Sequence, residues 1–222
     1  MALGCRLPQI AASSGRGSPF HSLDRMSARD RSTQEVMKTL GEDYDRCHKA
    51  LIDCIDAGKR DKKGNVTADY EFYARQLIRA AFAYIEAVTF SVKAHSAWQC
   101  MERNLSIEPE ERYFATDVEF EINDKGEVVE RSARISLSRN VRFALMLHER
   151  VWITPIKFDP SVGWWSNFKQ AVRIRDRLTH PKMPGDLDVS PDELITVLKA
   201  KRGFEEYLSQ SKRKRRRGRV RR

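Results

Sequence analysis

The chain has 222 residues, 41% of them hydrophobic, with a formal charge of +10. That length supports one core of ordinary size, and no apolar run approaches the roughly 20 residues of a membrane-spanning helix. Nine basic residues and no acid lie in Lys212–Arg222 (KRKRRRGRVRR), so the remainder is close to neutral and the high pI belongs to the tail.

Residues 1–31 are small and polar, bear Gly, Ser and Pro, and show no periodicity, so they read as a disordered N-terminal leader. They lack the continuous apolar block of a secretory signal. Ser32 and Glu35 form a capping-box pattern. Val36, Leu40, Tyr44, Cys47, Leu51 and Cys54 then recur at spacings of three and four, which predicts a helix to about Ala57. The charged loop 58–65 follows. A long second helix is predicted from about Thr67 to Arg103, with Tyr73, Leu77, Ala81, Tyr84 and Val88 on its apolar surface, as the spine of a bundle.

Val118, Phe120 and Ile122 alternate with Glu119 and Glu121 before Asn123-Asp124-Lys125-Gly126, and Val128 and Val129 resume the apolar pattern. This predicts a β-hairpin over about 117–131, inserted in a helical frame. A third helix covers about 137–152, with His148 on its apolar face as a core histidine. A fourth begins at Trp164, and Trp164 and Trp165 read as core or interface residues. Ser190-Pro191-Asp192-Glu193 is a helix start that combines a cap, an N1 proline and an N3 glutamate. Leu194, Val197, Leu198, Phe204 and Leu208 mark the inner face of this last helix. The expected fold is mainly α, about five helices with one hairpin. The expected organisation is a leader over 1–31, a helical domain over 32–211 and a disordered Arg/Lys-rich tail over 212–222.

The cysteines build no disulfide framework. Cys47 and Cys54 lie two turns apart on one helix, and Cys5 and Cys100 have no near partner. No pair has zinc-finger spacing. The chain also has no P-loop, dinucleotide glycine fingerprint or H-E-x-x-H motif. Neither a metal nor a cofactor is expected, and a reducing, cytoplasmic compartment is.

The segment WWSNFKQAVRIRDRLTHPK (164–182) carries the functional signal. As a helix it has Phe168, Ala171, Val172, Ile174 and Leu178 on one face, and Arg175 falls near the middle of that face. Lys169, Gln170, Arg173 and Arg177 take the opposite side. A guanidinium in a core register needs a partner or a polar cleft, because an unpaired buried charge is costly. His180 follows at the helix end, where Pro181 biases it out of helical conformation. Arginine keeps its charge and offers a planar fork to phosphate oxygens; histidine exchanges protons near neutrality. Four Arg–His pairs have comparable spacing: Arg16–His21, Arg142–His148, Arg173–His180 and Arg175–His180. Only the last unites an inward arginine, a polar following residue and a helix end. The alternative is structural, with Arg175 paired to an inward acid and His180 capping its helix.

Arg175-Asp176-Arg177-Leu178-Thr179-His180 resembles the motif of the HEPN superfamily, in which an arginine near the end of a late bundle helix precedes a histidine. The resemblance covers this segment and the helical layout around it, not the hairpin or the tail. It implies a HEPN-like bundle and a metal-independent endoribonuclease, of a toxin or defence type. Arg175 and His180 would be the catalytic pair, with Asp176 at the polar position, where it could orient the imidazole. It also implies a homodimer that brings two motifs into one cleft, and an antitoxin protein as a possible partner. A non-catalytic dimeric module that binds RNA or protein is the other reading. In either, Lys212, Arg213, Lys214, Arg215, Arg216 and Arg217 would supply an RNA-binding arm.

Overall fold

The computed structural model describes residues 23–57, 67–152, 157–161 and 163–218, with side chains from 32 to 209. Within them the chain forms α1 (Leu23–Asp56), α2 (Ala68–Glu102), α3 (Pro109–Ala115), β1 (Val118–Ile122), β2 (Val128–Ser132), α4 (Leu137–Trp152), α5 (Gly163–Thr179), a 3-10 turn (Pro184–Leu187) and α6 (Pro191–Gly218). The mainly α fold with one hairpin is the one the periodicities predict. α3 is an additional short helix, begun by Pro109 at its first position, where the missing N–H costs nothing.

α2 is the central element, in contact with each of the other five α-helices. Thr67 caps it by accepting from the Tyr70 N–H at 3.4 Å, and Asp69 and Glu71 lie in its first turn, where carboxylates favour the dipole. Along its N-terminal two-thirds, Ala74, Leu77, Ile78, Ala81, Phe82 and Ile85 are buried against α1, α5 and α6 in the main core. Leu51, Phe168, Leu178, Val197 and Phe204 belong to that core, as do Val141 and Leu145 of α4. Further along, Ala97 and Cys100 join Ile107, Ala115, Leu147 and Val151 in a smaller cluster against α3 and α4. The expected core histidine, His148, is buried, and so is Trp165.

The hairpin is antiparallel, with Val118 opposite Ser132 and Ile122 opposite Val128. Its turn is built as the sequence indicates. The Asn123 carboxamide oxygen accepts from the Lys125 and Glu127 N–H groups, both at 3.0 Å, and Gly126 takes φ +75°.

Two boundaries differ from the sequence expectation. α1 begins at Leu23, so Ser32 and Glu35 lie inside a helix rather than at its start, and residues 23–31 are helical rather than disordered. α6 continues to Gly218, so the backbone of Lys212, Arg213, Lys214, Arg215, Arg216 and Arg217 is helical too. Both extensions have one cause. Adding a residue to an existing helix avoids the nucleation penalty, and Leu, Met, Ala, Arg and Lys are all good helix formers, with no Pro in either stretch. Residues 1–22 and 219–222 lie outside the described residues, as do the side chains of 210–218. No described helix is long and apolar enough to cross a membrane.

Candidate functional site

α5 presents its apolar stripe to the core: Trp165, Phe168, Ala171, Ile174 and Leu178 are all buried. Arg175 lies at the border of that stripe, with its side chain 27% exposed. The helix carries it toward α2, where its Nη2 donates to Glu86 Oε1 at 2.5 Å. Nη1 donates to Asp176 Oδ1 at 2.9 Å. The inward guanidinium therefore has the acid partner that its position demands, and the pair sits at a surface opening rather than in dry hydrocarbon.

That opening is a cavity of about 270 Å³ between α2 and α5. Arg79, Glu86, Arg175 and Thr179 supply its polar lining, over an apolar base of Phe82, Ala83 and Leu178. Arg79 reaches across the helix pair, and its Nη2 donates to the Leu178 carbonyl at 3.3 Å. It thereby satisfies one of the carbonyls that the end of α5 leaves without an intrahelical donor. The Thr179 hydroxyl donates back to the Arg175 carbonyl at 2.8 Å.

α5 ends at Thr179. The His180 N–H still reaches the Asp176 carbonyl at 3.0 Å, and Pro181 stops the helix. The His180 side chain is exposed at the end of the helix, next to Thr179, and is not among the residues that line the cavity. Arg175 and His180 thus share one helix end, the first on the cavity wall and the second outside it. Asp176 is the residue that the sequence would set to orient the His180 imidazole. Its carboxylate faces the Arg175 guanidinium, and only its backbone carbonyl is bonded to His180.

Arg177 is the residue that the helical wheel misplaces. It is not a solvated cation but the clamp of the following loop. Its Nη1 donates to the carbonyls of Asp186 and Asp188, both at 2.9 Å, and of Gly185 at 3.3 Å. Nη2 donates to Glu193 Oε1 at 2.8 Å. Glu193 also accepts from the Ser190 N–H at 3.0 Å, while its own N–H donates to Ser190 Oγ at 3.2 Å. This is the capping box that the sequence indicates at the start of α6. Asp186 accepts from the N–H groups of Lys182 and Met183, which hold its carboxyl below the ordinary aspartate range. Arg75 adds a bond to the Leu187 carbonyl at 3.2 Å. The chain that follows His180 is therefore fixed in place from three sides.

A second cation in core register, which the sequence reading passed over, lies farther along α2. Lys93 is fully buried, donates to the Phe114 carbonyl at 3.2 Å and is paired with Asp117. Burial holds its ammonium below the ordinary lysine range, and Asp117 partly offsets the effect. Like Arg175, Lys93 is a charge in an apolar helical register, and it shares its face with Thr89, Ser96, Ala97 and Cys100.

No protein-family model matches the chain, and comparison with curated proteins and with solved structures finds no match either.

Proposed function

We propose that the cavity at the end of α5 is a phosphate site and that the protein is a metal-independent endoribonuclease of the HEPN type. The observation that carries this reading is the Arg175 guanidinium on the wall of a surface cavity at a helix end from which His180 emerges. RNA supplies its own nucleophile in the 2′-hydroxyl. His180 would take or return the proton, and Arg175 would stabilise the charge that builds on the phosphorane oxygens. A single imidazole cannot serve both the attacking and the leaving oxygen at once. A two-fold homodimer, with a second copy of the α5 end in the same cleft, would provide the other. In this reading the protein is a toxin or defence effector, a protein antitoxin would be its natural restraint, and the basic segment Lys212–Arg217 would hold the RNA backbone.

The test is incubation of the purified protein with single-stranded RNA in the presence of a chelator. The expected result is cleavage that is lost in both Arg175→Ala and His180→Ala. Cleavage that persists in both variants would reject the assignment.

One observation favours the second reading, a non-catalytic module that binds RNA or protein. Arg175 is already satisfied by Glu86 and Asp176, as a purely structural arginine would be. RNA binding without cleavage, unaffected by His180→Ala, would establish it.

A further inference from the structure

The cavity wall holds two charged groups that the proposed chemistry does not use, Arg79 and Glu86. Arg79 and Arg175 bring two guanidinium groups to the lining, and Glu86 brings a carboxylate. Arg175 is engaged on both terminal nitrogens, by Glu86 at 2.5 Å and by Asp176 at 2.9 Å. Asp176 is its immediate neighbour in sequence, but Glu86 comes from another helix, 89 residues away. A guanidinium offers a limited set of coplanar donors, and carboxylate and phosphate oxygens fit them in the same way. An anion that enters the cavity must therefore compete with Glu86 for Arg175. The Glu86 side chain is 42% exposed, so water is available to it when it is displaced.

We infer that Glu86 is an internal stand-in for phosphate, which occupies Arg175 in the empty cavity and leaves it when a phosphodiester enters. This rests on the reading of the cavity as the RNA phosphate site, and it makes Glu86 a specificity-determining residue. A neutral ligand has no charge with which to displace the carboxylate. A phosphate meets two cations, because Arg79 shares the wall. The apparent affinity is then the intrinsic affinity multiplied by the fraction of molecules in which Arg175 is free.

The experiment is a calorimetric titration of the full-length chain with adenosine 3′-monophosphate. This probe is small enough that the basic C-terminal segment affects every variant alike. Glu86→Gln keeps the shape and removes the charge, and it is expected to bind the nucleotide about three- to tenfold more tightly than the wild type, as for a free fraction of roughly one in three to one in ten. Arg175→Ala is expected to reduce the binding to the level that the basic C-terminal segment alone supplies. Unchanged or weaker binding by a folded Glu86→Gln protein overturns the inference. If that variant does not fold, Glu86→Asp, whose carboxylate is withdrawn by one methylene, must tighten binding in its place, and unchanged or weaker binding there overturns the inference equally. RNA cleavage assayed in parallel separates the two ideas. Tighter nucleotide binding by a protein that never cleaves RNA keeps the exchange and rejects the nuclease. Arg175-dependent cleavage without tighter binding in Glu86→Gln rejects the exchange alone.

Discussion

Lys93 on α2 and Asp117 at the root of the hairpin form an ion pair in which the ammonium is fully buried and the carboxylate is one-third exposed. The pair fastens the β1–β2 insertion to the bundle, and the residue before β1 takes the left-handed backbone, φ +57°, that lets its carboxylate turn back. Aspartate tolerates that conformation better than most side chains. Asp117→Asn should destabilise the protein toward the low end of the about 3–5 kcal/mol for a broken buried pair, because the lost partner is itself partly hydrated. Lys93→Met should cost far less, since it removes the charge and keeps the volume. Chemical denaturation of both variants checks the order, and a smaller loss in Asp117→Asn would contradict it.

The same pair predicts a pH dependence with a definite sign. The Lys93 ammonium is held below its ordinary value of 10.5, chiefly by burial. Between the lowered folded value and 10.5 the unfolded chain binds more protons, so this residue makes stability rise with pH across that interval. Below the folded value its penalty is constant. The wild-type minus Lys93→Met stability difference should therefore shift in favour of the wild type as pH increases toward 10.5. Tyrosines contribute in the opposite direction. Burial, with Glu205 and Asp45 nearby, pushes the Tyr44 phenol up to about 12. Its folded-state advantage is present below 10 and is lost as pH rises toward 12. Both effects are read by comparing each variant with the wild type at every pH. A flat difference for Lys93→Met would refute the first.

Gly203 marks a close approach of α6 to Trp164 of α5. A Cβ at this position would lie 2.4 Å from Cβ and 2.8 Å from Cγ of Trp164. Helix propensity alone favours alanine over glycine by about 1 kcal/mol. The clash involves the fixed base of a packed tryptophan, and overpacking of that kind costs about 1–3 kcal/mol. Gly203→Ala should thus lower the melting temperature despite its better propensity. A rise in melting temperature would mean that the two helices can separate without loss.

The loop after α5 depends on Arg177 in a way that charge alone does not replace. One guanidinium holds three carbonyls and the Glu193 carboxylate. Arg177→Ala should cost about 1.5–3 kcal/mol, the range for hydrogen bonds to a charged group, and should raise amide exchange over 181–190. Arg177→Lys should recover little of this, since an ammonium cannot span the same set of acceptors. Full recovery by lysine would show that the positive charge, not the fork, holds the loop.

The legible and illegible parts of this molecule divide along one physical line. Apolar periodicity reports which way a helix faces, so Leu51, Leu77, Phe168, Leu178 and Phe204 were identifiable as core and the hairpin was readable from its alternation and its Asn-Asp-Lys-Gly turn. Arg175 stood out for the same reason, as a charge in an apolar register. Periodicity does not report what a long side chain reaches. The guanidinium of Arg177 folds over the end of its helix, and Glu86 meets Arg175 from 89 residues away. Neither follows from spacing. The helix ends at Leu23 and Gly218 were illegible for another reason: polar residues without Pro can extend a helix that nothing in their own pattern demands.

The basic end of α6 offers the most direct separation of binding from chemistry. Lys212–Arg222 contains nine cations in a chain whose formal charge is +10. If this segment holds RNA, each phosphate it neutralises contributes about −0.7 to the slope of log affinity against log salt for a single strand. Deletion of residues 212–222 should then flatten the slope and weaken RNA binding most at low salt. The cavity, built from α2 and α5, should keep its response to Arg175→Ala in the truncated protein, because none of its lining belongs to α6. Salt-dependent binding measured by fluorescence anisotropy on the full and truncated chains decides the matter. An unchanged slope would move the RNA contact away from the tail and onto the bundle itself.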